Sequence, residues 1–256
     1  MSWTRRRVLG CAVGASVGAV VGLAARPARA LGDATGVDIA EIQLSRGTIS
    51  RSEAWKRLLL EVVQTTSIEV HPRAVQLDPE DPDLFRHPFA VLSGNAALPE
   101  LSDAARAQVV RYLAYGGFLF IDDATGTIES DFDRSVRSML ARLFPTRPLA
   151  VLPSDHSIYR SFFLLHEPVG RVANHRVLEG VPQGSTHVVV YGRDDLSGAL
   201  DRRPDGGEAA SCVPDGELQR REAIKLGVNL VMYALTSNYK QDMAHVNELM
   251  RDGRLE

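Results

Sequence analysis

The sequence predicts an α/β domain built on a mostly parallel sheet with helices on both faces. Three observations point that way. Short apolar runs at 89–94, 118–121 and 187–191 carry almost no charge, as buried parallel strands do. Amphipathic stretches of helical period lie among them. The order is alternation of strand and helix, the signature of a sheet covered on both sides.

Taken in order, 37–44 alternates loosely and reads as a first strand. Residues 52–63 read as a helix with Ser52 as its N-cap, because Trp55, Leu58, Leu59, Val62 and Val63 share one face. The β-branched stretch 65–70 reads as a strand, and 78–82 as a loop set by Pro79 and Pro82. After the strand at 89–94, Ser102 caps a helix reaching Tyr115, and Gly116 and Gly117 stop it. The strand at 118–121 ends on Asp122 and Asp123, and a helix follows over 130–143. Residues 149–152 and 187–191 read as further strands, 201–216 as an exposed Pro/Gly loop, 223–236 as an apolar helix and 239–250 as a separate polar one. Val91, Leu119 and Val189 are expected in central strands, with the helix around Val228, Leu230, Val231 and Leu235 packed on the sheet.

The N-terminus departs from this pattern. Arg5, Arg6 and Arg7 precede an uncharged run from Val8 to Ala25, and Ala28-Arg29-Ala30 supplies a small-x-small cleavage site. Paired arginines before a weakly apolar, Gly-rich run read as a twin-arginine export signal over 1–30, with Arg5 and Arg6 as its recognition residues and Leu31 as the mature start. The alternative is an uncleaved inner-membrane anchor. The run approaches the ~20 residues a span needs, and Gly14, Gly18 and Gly22 recur every four residues, as on helix-pairing faces. Residues 31–256 then form one domain, periplasmic or otherwise exported, with the twin-arginine translocase as a partner during export.

Removing 1–30 leaves 24 Lys and Arg against 32 acids, a net charge near −8 that argues against nucleic acid as a partner. Only Cys212 remains, so the domain has no internal disulfide and rests on its core.

In open α/β sheets ligands bind beyond the carboxyl ends of the strands, so the residues that follow each strand are the first candidates. They are Asp122 and Asp123, then Asp155 and His156, then Arg193, Asp194 and Asp195. Brought to one edge, these groups could hold a divalent cation through oxygen ligands or act as an acid/base pair. The competing reading is structural, since Asp after a strand is a common helix cap or Asx-turn. His71, His87 and His166 read as surface or hydrogen-bonded residues. Cys212 has no neighbouring His to activate it as a nucleophile. Past residue 30 the GxSxG, P-loop, GxGxxG and HExxH patterns are all missing.

Four segments carry a family resemblance: Leu84 to Phe89, Tyr112 to Asp123, Leu152 to His156 and Gly227 to Thr236. They resemble the bacterial domain-of-unknown-function family numbered 4159. The resemblance implies a class I glutamine amidotransferase-like (flavodoxin-like) fold and relatives that are typically exported or membrane-anchored. It implies no activity. Where those amidotransferases place a nucleophilic Cys after a strand, this chain has Asp122 and Asp123, so glutamine hydrolysis is not expected. Two functions stay open. One is a non-catalytic envelope domain that binds a protein or a carbohydrate at the strand ends. The other is a hydrolase that uses the carboxylates, with or without a metal, on an envelope substrate such as a carbohydrate.

Overall fold

The computed structural model describes residues 36–251, with side chains through Ser237. The stretch 1–30 read as an export signal, Arg5 and Arg6 included, lies outside the described residues. Among the described residues seven strands form one sheet: β1 (Val37–Ile42), β2 (Val70–Leu77), β3 (Phe89–Gly94), β4 (Phe118–Asp123), β5 (Ala150–Val151), β6 (Leu178–Gln183) and β7 (Thr186–Gly192). Five α-helices accompany them: α1 (Ser52–Thr65), α2 (Asp103–Ala114), α3 (Asp131–Leu143), α4 (Leu196–Leu200) and α5 (Gly216–Arg251).

The strand order is β2-β1-β3-β4-β7-β6-β5. The first five are mutually parallel, and β6 runs antiparallel to both β7 and β5. This is the flavodoxin-like order, extended at one edge by a hairpin.

Alternation along the strands builds two cores. Ile39, Phe89, Val91, Phe118, Phe120 and Val190 face α1, α4 and α5. Ala40, Ala90, Leu92, Leu119, Ile121, Val189 and Tyr191 face α2 and α3. Leu119 pairs with Ala90 on one side and Val189 on the other, so Val91, Leu119 and Val189 occupy central strands as expected. Val228, Leu230 and Val231 of α5 are fully buried in the first core. Helix α2 stops as the glycine pair predicts. Gly116 takes φ 98°, and Gly117 N–H returns to the Tyr112 carbonyl at 3.0 Å.

Several boundaries differ from the sequence reading. The stretch 65–70 is not a strand. Thr65 ends α1, the Thr66 hydroxyl donates to the Val62 carbonyl, and β2 begins only at Val70. Local β-branching loses here to the register that β2 needs beside β1. That edge strand tolerates Pro72, which falls at the register irregularity between Val37 and Ile39.

Ser52 is the first residue of α1 rather than its cap, and the Arg51 side chain makes no capping bond. The carboxylate of Glu41, fully buried in β1, receives the Arg51 N–H and the hydroxyls of Ser50 and Ser52. A neighbouring strand thus supplies the anion that the helix start requires. At the other end of the chain, α5 is one helix where two were expected.

Strand β6 and the short α4 went unread, because Gly180 with Pro182 and Ser197 with Gly198 weaken their local signals. The 201–216 loop is mostly exposed, but it is tied down by Arg220. That buried guanidinium donates to the Ala199 and Ala210 carbonyls and pairs with Glu208 at 3.3 Å. Among the described residues no helix is long and apolar enough to cross a membrane.

Candidate functional site

The carboxyl edge of the sheet draws together Asp122, Asp123, Arg193, Asp194 and Asp195, and the local structure occupies each of them. Asp122, at the end of β4, accepts the backbone N–H groups of Leu196 (2.8 Å) and Ser197 (2.9 Å) at the start of α4. Asp195 accepts the Gly198 N–H at 2.9 Å, pairs with Arg171, and holds a left-handed backbone at φ 55°. Burial, and then the charge of Asp195, push the Asp122 carboxyl up to about 7, against the opposing pull of the Ser197 and Leu196 donors. Asp195 is raised by burial too, with Arg171 pulling the other way.

Asp194 gathers the N–H groups of Asn174, His175 and Arg176 and lies 3.0 Å from His175 Nδ1. Asp123 closes an Asx-turn on Thr125 N–H (3.0 Å) and accepts the Ser130 hydroxyl (2.6 Å), whose oxygen in turn caps α3. Arg193 reaches Glu179 at 3.4 Å, and Arg137 bridges the same Glu179 to Asp133.

Around these acids the edge is closed. The space bordered by Asp122, Gly170, Arg193, Asp194 and Leu226 amounts to about 10 Å³, at most a single water. The segment over it lies so tightly that a Cβ on Gly170 would sit 2.0 Å from the Asp194 carbonyl oxygen. The crevice between β1 and β3, where strand order reverses, is also filled by the chain's own backbone. Ile49 N–H bonds the Ser93 carbonyl (2.9 Å), Asn95 N–H bonds Gly47 O (3.0 Å), and Thr48 bridges Gly94.

Asp155 and His156 are elsewhere. Strand β5 does run in the same sense as β7, but the chain turns at Pro153 and doubles back across the α5 face. His156 Nε2 sits 3.0 Å from His187 Nδ1, with the Tyr233 ring 5.4 Å away, and Asp155 is exposed. His187 is the second residue of β7 and Gly192 the last, a separation of roughly 16 Å along the strand. The Ile158 N–H donates to His156 Nδ1 at 3.2 Å, so neutral His156 carries its proton on Nε2 and donates it to His187. Burial, then His187, push the His156 imidazole down to about 4, and burial also lowers His187. Among the described residues no group of three or more His, Cys, Asp and Glu could hold a metal ion.

A wide open cleft lies at the opposite, amino edge. It measures about 620 Å³ and is lined by Asp38 of β1, His71 and Arg73 of β2, Asp83 and Arg86 of the 3-10 turn Pro82–Arg86, and His87. Asp38 is 5% exposed; it accepts from Arg73 Nε at 2.8 Å and lies 2.5 Å from His87 Nδ1. Burial pushes the Asp38 carboxyl up, but His87 and Arg73 outweigh it and hold it below its ordinary value. The Tyr112 hydroxyl, donating to the His87 carbonyl at 2.8 Å, fixes the backbone there. An exposed aromatic step adjoins the turn, with Phe85 6.5 Å from Tyr115 and the Arg111 guanidinium 5.6 Å above the Phe85 ring.

Sequence reasoning treated His71 and His87 as ordinary loop residues and passed over Asp38. The available signal was an acid inside the apolar strand VDIAEI, which a buried strand accepts only with a partner.

The family model described as "Domain of unknown function (DUF4159)" matches residues 38–235, so the match takes in both edges of the sheet. No curated protein matches the chain.

Proposed function

The chain belongs to the DUF4159 family, and from that premise we propose that it is an exported cell-envelope domain that works by binding a protein or a carbohydrate rather than by catalysis. The observation that carries this reading is the commitment of the strand-end acids. Asp122, Asp123, Asp194 and Asp195 all accept backbone N–H groups within the fold, and the space bordered by Asp122 and Asp194 has no room for a substrate. A carboxylate spent in this way organises loops and cannot also approach a scissile bond. The open, polar amino-edge cleft suits recognition. Export rests on the reading of 1–30, with retention by an N-terminal anchor as the alternative.

A hydrolase reading keeps one specific support. Asp38 is placed to orient His87 through Nδ1, the arrangement that prepares an imidazole as a general base. The deciding experiment incubates the purified protein with separated envelope protein and polysaccharide fractions. Saturable retention with ligand masses unchanged is expected. New fragment masses that disappear in His87→Gln would replace binding with hydrolysis.

A further inference from the structure

We propose that the amino-edge cleft is an anion-binding site, taking a carboxylate or phosphate group through Arg73, Arg86 and His87. The inference deepens the binding reading above and rests on it for biological purpose, though not for its chemistry.

The argument is an inventory of donors left over once the fold is satisfied. Among the described residues Asp38 is the only buried carboxylate lining the cleft, and its oxygens are already engaged by Arg73 Nε and His87 Nδ1. Arg73 spends Nε alone. Among the described residues its two terminal amino groups make no hydrogen bond, and its side chain is 65% exposed. A guanidinium anchored through Nε by a buried acid is held in place with its outer fork free, the geometry that grips a two-oxygen anion.

Arg86 is freer still. Its contact is Asp83 at 3.8 Å, with both side chains largely exposed, an i,i+3 pair that contributes little and yields easily to a stronger acceptor. His87 turns Nδ1 to Asp38, which leaves Nε2 an acceptor in the neutral imidazole and a donor only in the imidazolium. His71 lines the same wall without a hydrogen bond among the described residues. The opposing charges are Asp83, on the exposed turn, and Asp38, whose oxygens are already engaged by Arg73 and His87. A bound oxyanion would therefore meet two guanidinium groups, with an N–H from His87 when that ring is protonated, over a cleft wide enough for a sugar- or peptide-sized ligand.

Carboxylate and phosphate share this chemistry, and the test separates them. Titration calorimetry on the purified protein, at constant chloride, uses inorganic phosphate in one arm and glucuronate in the other. One of the two should bind saturably. Arg86→Gln should weaken it about tenfold, the value of one charge-assisted contact. Arg73→Gln should do the same or more, with Arg73→Lys restoring only part, since Lys lacks the fork. Arg142→Gln, remote from the cleft, should change nothing. Because Arg86 is exposed, a melting curve matching wild type would show that its variant is folded.

Equal affinity in wild type, Arg86→Gln and Arg73→Gln would mean adventitious binding and overturn the site. So would no binding of either anion. If the variants still retain envelope material while no anion binds, the site is wrong and the binding reading stands. If anion binding is lost in the variants but no form retains envelope material, the site is right and the binding reading falls.

Discussion

Asp122 and Asp195 divide the start of α4 between them: Asp122 takes the N–H groups of Leu196 and Ser197, and Asp195 takes that of Gly198. Two buried carboxylates thus cap one five-residue helix from two different strand ends. Their mutual repulsion is tolerated because each collects oriented donors and Arg171 neutralises Asp195.

Asp122→Asn leaves one of the two N–H groups without an acceptor, so it should cost about 1–3 kcal/mol in urea denaturation near neutral pH. Its pH dependence has a definite sign. The folded Asp122 carboxyl, raised to about 7, holds a proton that the unfolded chain releases near its ordinary value of 3.8. The stability it contributes is full below that lower value and is lost as pH rises toward 7. The advantage of wild type over Asp122→Asn should therefore shrink between pH 5 and pH 8. An advantage that stayed level over that range would show that Asp122 is ionised throughout.

The His156–His187 pair carries the opposite sign. His156 is lowered to about 4 in the fold from 6.5, so the unfolded chain takes up the proton first as pH falls. Stability should drop on acidification from about pH 6.5 to 4, by on the order of 1–2 kcal/mol after allowing for partial exposure. His156→Gln, whose amide can still donate to His187, should flatten that slope. Melting temperatures across the range read it directly, and an unchanged slope would remove His156 as its source.

Leu119 is 2% exposed, between Ala90 and Val189 in the centre of the sheet. Leu119→Ala should lose about 2–5 kcal/mol of stability, the cost of a cavity in a packed core. A loss below about 1 kcal/mol by urea denaturation would contradict that packing.

Lysine at both Arg5 and Arg6 should trap the precursor in the cytoplasm, as read by cell fractionation. N-terminal sequencing of the exported wild-type protein should begin at Leu31. Met1 on membrane-bound protein would establish the anchor instead.

The sequence by itself determined the sheet-and-helix alternation, the central strands around Val91, Leu119 and Val189, and the α2 stop at Gly116. These depend on short-range pattern: apolar runs, helical period, and a glycine free to take φ 98°. The tertiary structure alone decided the fate of the acids. Asp122 could be known as a cap only once Leu196 was placed beside it, 74 residues along the chain. Glu41 likewise serves a helix start ten residues away through a side chain, where the local pattern nominated Ser52. Asp155 and His156 part from the other strand-end residues because the chain reverses at Pro153, a turn that strand direction does not foretell. The cleft of Asp38, Arg73, Arg86 and His87 draws on β1, β2 and the approach to β3, and parallel register alone brings those strand starts together. Periodicity is written in neighbouring residues, whereas the partners of a buried charge are set by packing across the sheet.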